Sequence, residues 1–106
     1  MRLRLNTWQR VQLEMLVGAV KGTAAAIRKA VQLLDILEMS DEEKAQVGFK
    51  QDVSIIKWDD LEHVWEIEIG DSNLASFLRE LVKRKTDWTV NRNVIGIFDQ
   101  FGIQDD

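Results

Sequence analysis

The chain has 106 residues, 45% of them hydrophobic and 30% charged, with a formal net charge of −4, the make-up of one globular domain over residues 1–106. It contains no cysteine and a single histidine, His63, which excludes disulfide frameworks, thiolate metal sites, cysteine nucleophiles and HExxH zinc sites. Acidic residues evenly mixed with lysine and arginine give no general attraction to phosphate backbones, so nucleic acid is not an expected partner.

No apolar run approaches the roughly 20 residues of a membrane span, and the opening MRLRLNTWQR lacks the apolar centre of a signal peptide. The expectation is a cytoplasmic protein without a membrane partner. Arg2 and Arg4 alternate with Leu3 and Leu5, as in a short extended arm that pairs with a neighbouring element. Asn6 and Thr7 are good N-caps, and Gln9 completes a capping box with Asn6, so a helix is predicted from about Thr7 to Val20. That helix carries two apolar rows, Trp8, Val11, Met15 and Ala19 in one and Leu13, Leu16, Val17 and Val20 in the other. Such a helix is buried within its own chain or spares one row for a homodimer interface. Lys21 and Gly22 break it. Thr23 caps a second helix to about Glu38, whose stripe is Ile27, Ala30, Leu34 and Leu37, flanked by Val31 and Leu33. Ser40-Asp41-Glu42-Glu43 is a second capping box, opening a short helix that Gly48 ends before Phe49 returns to the core.

Val53 to Gly70 is the stretch that reads as β-structure. From Val64 to Ile69 the side chains alternate, Trp65, Ile67 and Ile69 on one face and Val64, Glu66 and Glu68 on the other. Val53 to Trp58 is the expected hairpin partner, with Trp58 opposite Trp65 or, through a four-residue loop, opposite His63. Past Gly70, Asp71 or Ser72 caps a helix with Leu74, Phe77, Leu78, Leu81 and Val82 at ideal spacing, and Lys83, Arg84 and Lys85 suit its negative end. Thr86 to Trp88 form a loop. Thr89 then caps a last helix with the stripe Val90, Val94, Ile97, Phe98 and Phe101, weakened by Gly96 and ended by Gly102. Gln104 to Asp106 read as a frayed tail. The fold class is α+β, a bundle of about four helices plus a short one packed against a central two-stranded antiparallel hairpin.

Chemistry is sparse. No nucleophile-elbow sequence surrounds Ser54, Ser72 or Ser76, the serines that could pair with His63. Asp59, Asp60 and Glu62 lack the spacing and glycine of a calcium loop, and turn chemistry accounts for them. Glu66 and Glu68 share a solvent face, where charge serves solubility. There is no Walker lysine loop and no GxGxxG. The chain therefore reads as a non-enzyme, with no catalytic residue, cofactor or metal. Candidates for a binding surface are Trp8 and Met15 on the first helix, Trp58 and Trp65 on the hairpin, and Arg79 and Lys83 on the fourth helix. The two hairpin tryptophans read first as core and second as partner anchors.

The run Leu5-Asn6-Thr7-Trp8-Gln9-Arg10, the Ser40-Asp41-Glu42-Glu43 cap, Trp58, the strand Glu66-Ile67-Glu68-Ile69-Gly70 and the closing aromatic helix resemble a group of small uncharacterised proteins of tailed phages and prophages. The resemblance spans most of the chain and brings no catalytic residue. It implies an accessory protein of an infected host cell that binds a host or phage protein, with inhibition of a defence protein the leading role. Sequestration of a small nucleotide signal between protomers and a place in a phage assembly are the alternatives.

Overall fold

The computed structural model describes residues 1–104; of the expected frayed tail, Asp105 and Asp106 lie outside the described residues. The fold is α+β, with helices laid against small antiparallel sheets. In order come β1 (Arg2–Asn6), α1 (Thr7–Gly18), α2 (Ala24–Leu37), α3 (Asp41–Val47), β2 (Lys50–Gln51), β3 (Ile56–Lys57), β4 (Val64–Glu68), α4 (Ser72–Arg84) and α5 (Arg92–Gln100).

The caps form as their sequences dictate. The Asn6 side chain accepts the Gln9 amide at 2.8 Å while the Gln9 side chain accepts the Asn6 amide at 2.9 Å. Ser40 and Glu43 repeat the exchange at 3.1 and 3.0 Å, and Thr23 and Asp71 cap α2 and α4. Each cap satisfies amides that a helix start leaves without an internal partner. Gly48 ends α3 at φ +67°, and the Asp59 carboxylate occupies the space its Cβ would need, so both backbone and packing require glycine there.

The strand pairing differs from the expected hairpin. β4 pairs with β1, placing Leu3 opposite Ile67 and Leu5 opposite Trp65 on the inner face, and Arg2 opposite Glu68 and Arg4 opposite Glu66 on the outer face. Mutual bonds between Met1 and Ile69 extend the ladder. The alternative partner, Val53 to Trp58, would have put the Ser54 hydroxyl against Ile69 in the core. Closing a connection of roughly 60 residues instead of about six costs about 2 kcal/mol more. Burying Leu3 and Leu5 completely returns ~1.5–3 kcal/mol each. Val53 to Trp58 would bury Ile56 and Trp58 in their place, so the difference between the pairings lies in the Ser54 hydroxyl that the core would have to take up, with the exposed Arg–Glu pairs contributing little. Of the expected partner strand, Ile56 and Lys57 pair instead with Gln51 and Lys50 in the short β2–β3 ribbon.

α1 and α2 cover the inner face of the β1–β4 pair, and α4 closes the core from the other side of these helices. The buried side of α2 is Ala30, Leu33 and Leu37; Ile27 and Val31, assigned to its stripe from spacing, are exposed. α5 docks beside β1 and the start of α1. Asn6 donates to the Asn93 side chain at 3.0 Å, Gln9 donates to the Asn93 carbonyl at 3.0 Å, and Gln100 accepts the outward-facing Arg4 amide at 3.0 Å. Gly96 has a purpose here, since a Cβ at that position would press on the Gln9 side chain. α5 starts later than Thr89 would place it. Asn91 is the N-cap, accepting the Asn93 amide at 2.8 Å, which leaves Val90 ahead of the helix and fully exposed. No helix among the described residues is long and apolar enough to cross a membrane.

Candidate functional site

The most constrained polar group in the molecule is Arg10. Lying on the buried side of α1, it is only 2% exposed. Its Nε donates to the Leu37 carbonyl at 2.6 Å and one Nη donates to the Glu38 carbonyl at 3.1 Å, which satisfies carbonyls at the end of α2. Both Nη atoms also donate to the Glu43 carboxylate, at 2.9 and 3.2 Å. The guanidinium lies 4.8 Å from the centre of the Trp65 ring. One side chain thus ties the end of α2 to the start of α3 beneath β4. Its hydrogen bonds hold the Glu43 carboxyl below the usual carboxylate range. Nothing in the sequence beyond a basic residue between two apolar rows signals this. It is a structural clamp, with its donors committed inside the fold.

The candidate binding residues separate into two groups. Trp65 is 6% exposed, its indole donating to the Thr7 hydroxyl at 2.9 Å, and it belongs to the core. Trp8 is half-buried against that core. Trp58 is half-buried and stacks on Phe49 with ring centres 6.3 Å apart, anchoring the β2–β3 ribbon together with bonds from the Asp59 and Asp60 amides to the Val47 carbonyl. Arg79 is engaged with the end of α5, donating to the Phe101 carbonyl at 3.0 Å. Lys83 and Met15 are the two that face solvent, Met15 being 56% exposed.

His63 is half-buried with its ring centre 4.2 Å from that of Trp65. Glu66 and Glu68 face Arg4 and Arg2 at 3.9 and 3.2 Å. Among the described residues no three metal-ligating side chains converge.

Met15 lies between two hollows. On one side a small cavity of about 90 Å³ lies between α1 and the ribbon, reaching Glu14, Phe49, Gln51 and Ile56. On the other a hollow of about 190 Å³ is bounded by Gln12, Leu16, Ala19 and Lys85. At 100° per residue, Val11 and Glu14 fall on one flank of Met15 and Gln12, Leu16 and Ala19 on the other, so the helix itself joins the two. Lys85 continues the surface, its ammonium 5.2 Å from the Trp88 ring. Trp88 meets Phe98 edge to face at 5.7 Å and opens a groove of about 340 Å³ floored by Val90, Val94, Ile95 and Phe98. Val90 is fully exposed and Ile95 57% exposed. At the ribbon and the loop after it, Val53 is fully exposed and Ile55 and Leu61 largely so. Neighbouring residues thus link the hollows in series, from Ile56 of the ribbon past Met15 to Lys85, and from Lys85 through Trp88 to the α4–α5 groove, a series called the strip below.

Sequence reasoning located Met15 and missed the groove, because Val90 and Trp88 were read as helix and loop. The signal within reach was Asn91, a stronger cap than Thr89. In the small cavity, burial raises the Glu14 pKa above its ordinary value, aided by the nearby Glu38 charge and opposed by Lys44 and Arg10.

No protein-family model matches the chain, and no curated protein or solved structure matches it either.

Proposed function

We propose that the protein acts by binding another protein, without catalysing a reaction, and that the apolar strip centred on Met15 is its contact surface. The observation that carries this reading is the continuity of the strip. Scattered single apolar residues are normal on any surface, whereas a contiguous run with a groove at one end marks an interaction site. Arg10 is held in its clamp, Glu66 and Glu68 lie at the surface opposite Arg4 and Arg2, and the His63 ring packs against Trp65. The likeness to small phage accessory proteins supports a host or phage protein as the target, with inhibition of a defence protein by occlusion as the role.

The test is affinity capture from infected host cells with the wild-type chain and with Ile95→Glu. A protein retained in stoichiometric amount by the first and lost by the second is the expected result. Substoichiometric turnover of a metabolite or nucleic acid that disappears on changing Glu66, Glu68 or His63 would overturn it. A retained small nucleotide in place of a protein would favour sequestration.

A further inference from the structure

The two ends of the strip differ in charge. Residues 50–62, which form the ribbon and the following loop, carry Asp52, Asp59, Asp60 and Glu62 against two lysines, Lys50 and Lys57. Residues 83–92, which lead from the last turn of α4 to the first residue of α5, carry Lys83, Arg84, Lys85 and Arg92 against Asp87 alone. Arg84 and Lys85 are partly engaged, with Glu80 at 3.5 Å and Asp87 at 2.6 Å. Lys83 and Arg92 are exposed at the basic end. Each end also presents bare apolar side chains, Val53 and Ile55 at the acidic one and Val90 and Ile95 at the basic one.

We infer that the strip is the interface of a twofold homodimer, with Met15 near the axis and the acidic ribbon of each copy lying over the basic α4–α5 groove of the other. A twofold interface must be complementary to itself, so a patch on one side of the axis meets the patch on the opposite side. An apolar strip with uniform charge along its length would repel its own copy. One that is acidic at one end and basic at the other attracts it in a single orientation. Met15 at the midpoint meets its own symmetry mate, and the apolar ribbon tip supplies what an open groove lacks. This inference rests on the reading of the strip as a binding surface: a second copy occupies it in the free protein, and a target protein binds there by displacing that copy. Charge pairing at exposed ends is screened by salt, so the dimer loosens as ionic strength rises.

Light scattering of the full chain at several concentrations, in low and high salt, tests it. The expected mass is twice the 12.3 kDa of the single chain, falling toward one chain in high salt. Three variants follow, each checked for retained helicity by circular dichroism: Met15→Glu, Asp52→Lys with Glu62→Lys, and Lys83→Glu with Arg92→Glu. All five positions are exposed, and each variant is expected to be a folded monomer. An equimolar mixture of the two charge-reversed proteins provides the decisive measurement. In the proposed orientation the mixed pair has one contact with its charges exchanged and one unchanged, both attractive, so the mixture is expected to recover a mass of two chains; a ribbon-on-ribbon arrangement would also attract in the mixture but repels in the wild type, so the wild-type dimer excludes it. A monomeric wild type at high concentration, a dimer that survives Met15→Glu, or a mixture that stays monomeric would each overturn the inference. If the wild type is monomeric and Ile95→Glu still abolishes target capture, the strip is a binding surface for a foreign partner only. If capture is also unaffected, the reading of the strip fails as well.

Discussion

Replacing Arg10 with methionine removes the clamp while keeping a long side chain on the buried side of α1. Two carbonyls at the end of α2 and the Glu43 carboxylate then lose their donors together. Breaking a buried charge pair by deleting one partner costs about 3–5 kcal/mol. The lower end applies here, because Glu43 is about one-third exposed and water can take over its solvation, whereas the carbonyl of Leu37 loses a buried partner outright. A loss of about 3 kcal/mol is a large part of the ~5–15 kcal/mol total of a small domain, and at roughly 4–8 °C per kcal/mol it lowers Tm by at least about 12 °C. Arg10→Lys keeps the charge but not the fork that reaches both helices, so its loss should fall between wild type and methionine. Thermal and urea melts followed by circular dichroism measure both. The difference should also depend on pH. Because the folded Glu43 carboxyl titrates below its ordinary value near 4.5, its contribution is present above that value and is lost as the pH falls through the folded pKa. The gap between wild type and Arg10→Met therefore narrows in acid. A methionine variant that melts within a few degrees of wild type at pH 7 would refute the clamp.

Other substitutions probe neighbouring parts of the same argument. Trp65→Ala empties a buried aromatic site beside Arg10 and leaves Thr7 without its indole donor, an expected loss of ~3–5 kcal/mol measurable by urea unfolding. Val17→Glu places a carboxylate on the fully buried side of α1 and should abolish cooperative unfolding, whereas Met15→Glu, one half-turn away and exposed, should leave a normal thermal transition. Glu14→Gln removes a carboxylate whose folded pKa is raised. A raised acid pKa means that stability is lost as the pH climbs from about 4.5 through the folded value, so the glutamine variant should be more stable than wild type at pH 7 and equal to it below pH 4. Melts at the two pH values separate these cases.

The local elements were legible in the sequence because their causes lie within a few residues. Asn6 with Gln9, Thr23, Ser40 with Glu43, and Asp71 each satisfy helix amides next to them, and no distant contact is needed to identify them. The alternation from Val64 to Ile69 likewise identifies a strand and its inner face. Its partner could not be identified in the same way. Both Val53 to Trp58 and the arm Leu3 to Leu5 satisfy the pattern, and the choice turns on which pairing buries fewer polar atoms once the whole chain has closed. The same holds for α2, where spacing gave a stripe of Ile27, Ala30, Leu34 and Leu37 flanked by Val31 and Leu33, and the approach of α1 and α4 buries Ala30, Leu33 and Leu37 while leaving Ile27 and Val31 exposed. Arg10 is the clearest case. In sequence it is a charge among apolar residues, and only the meeting of the end of α2 with Glu43 under Trp65 converts it into a buried, fully engaged side chain. Met15 lay within reach of the helical pattern, but the strip it centres required three separate stretches to meet on one face. Periodicity reports which side of a helix is apolar; which of those sides is covered depends on contacts between residues far apart in the chain.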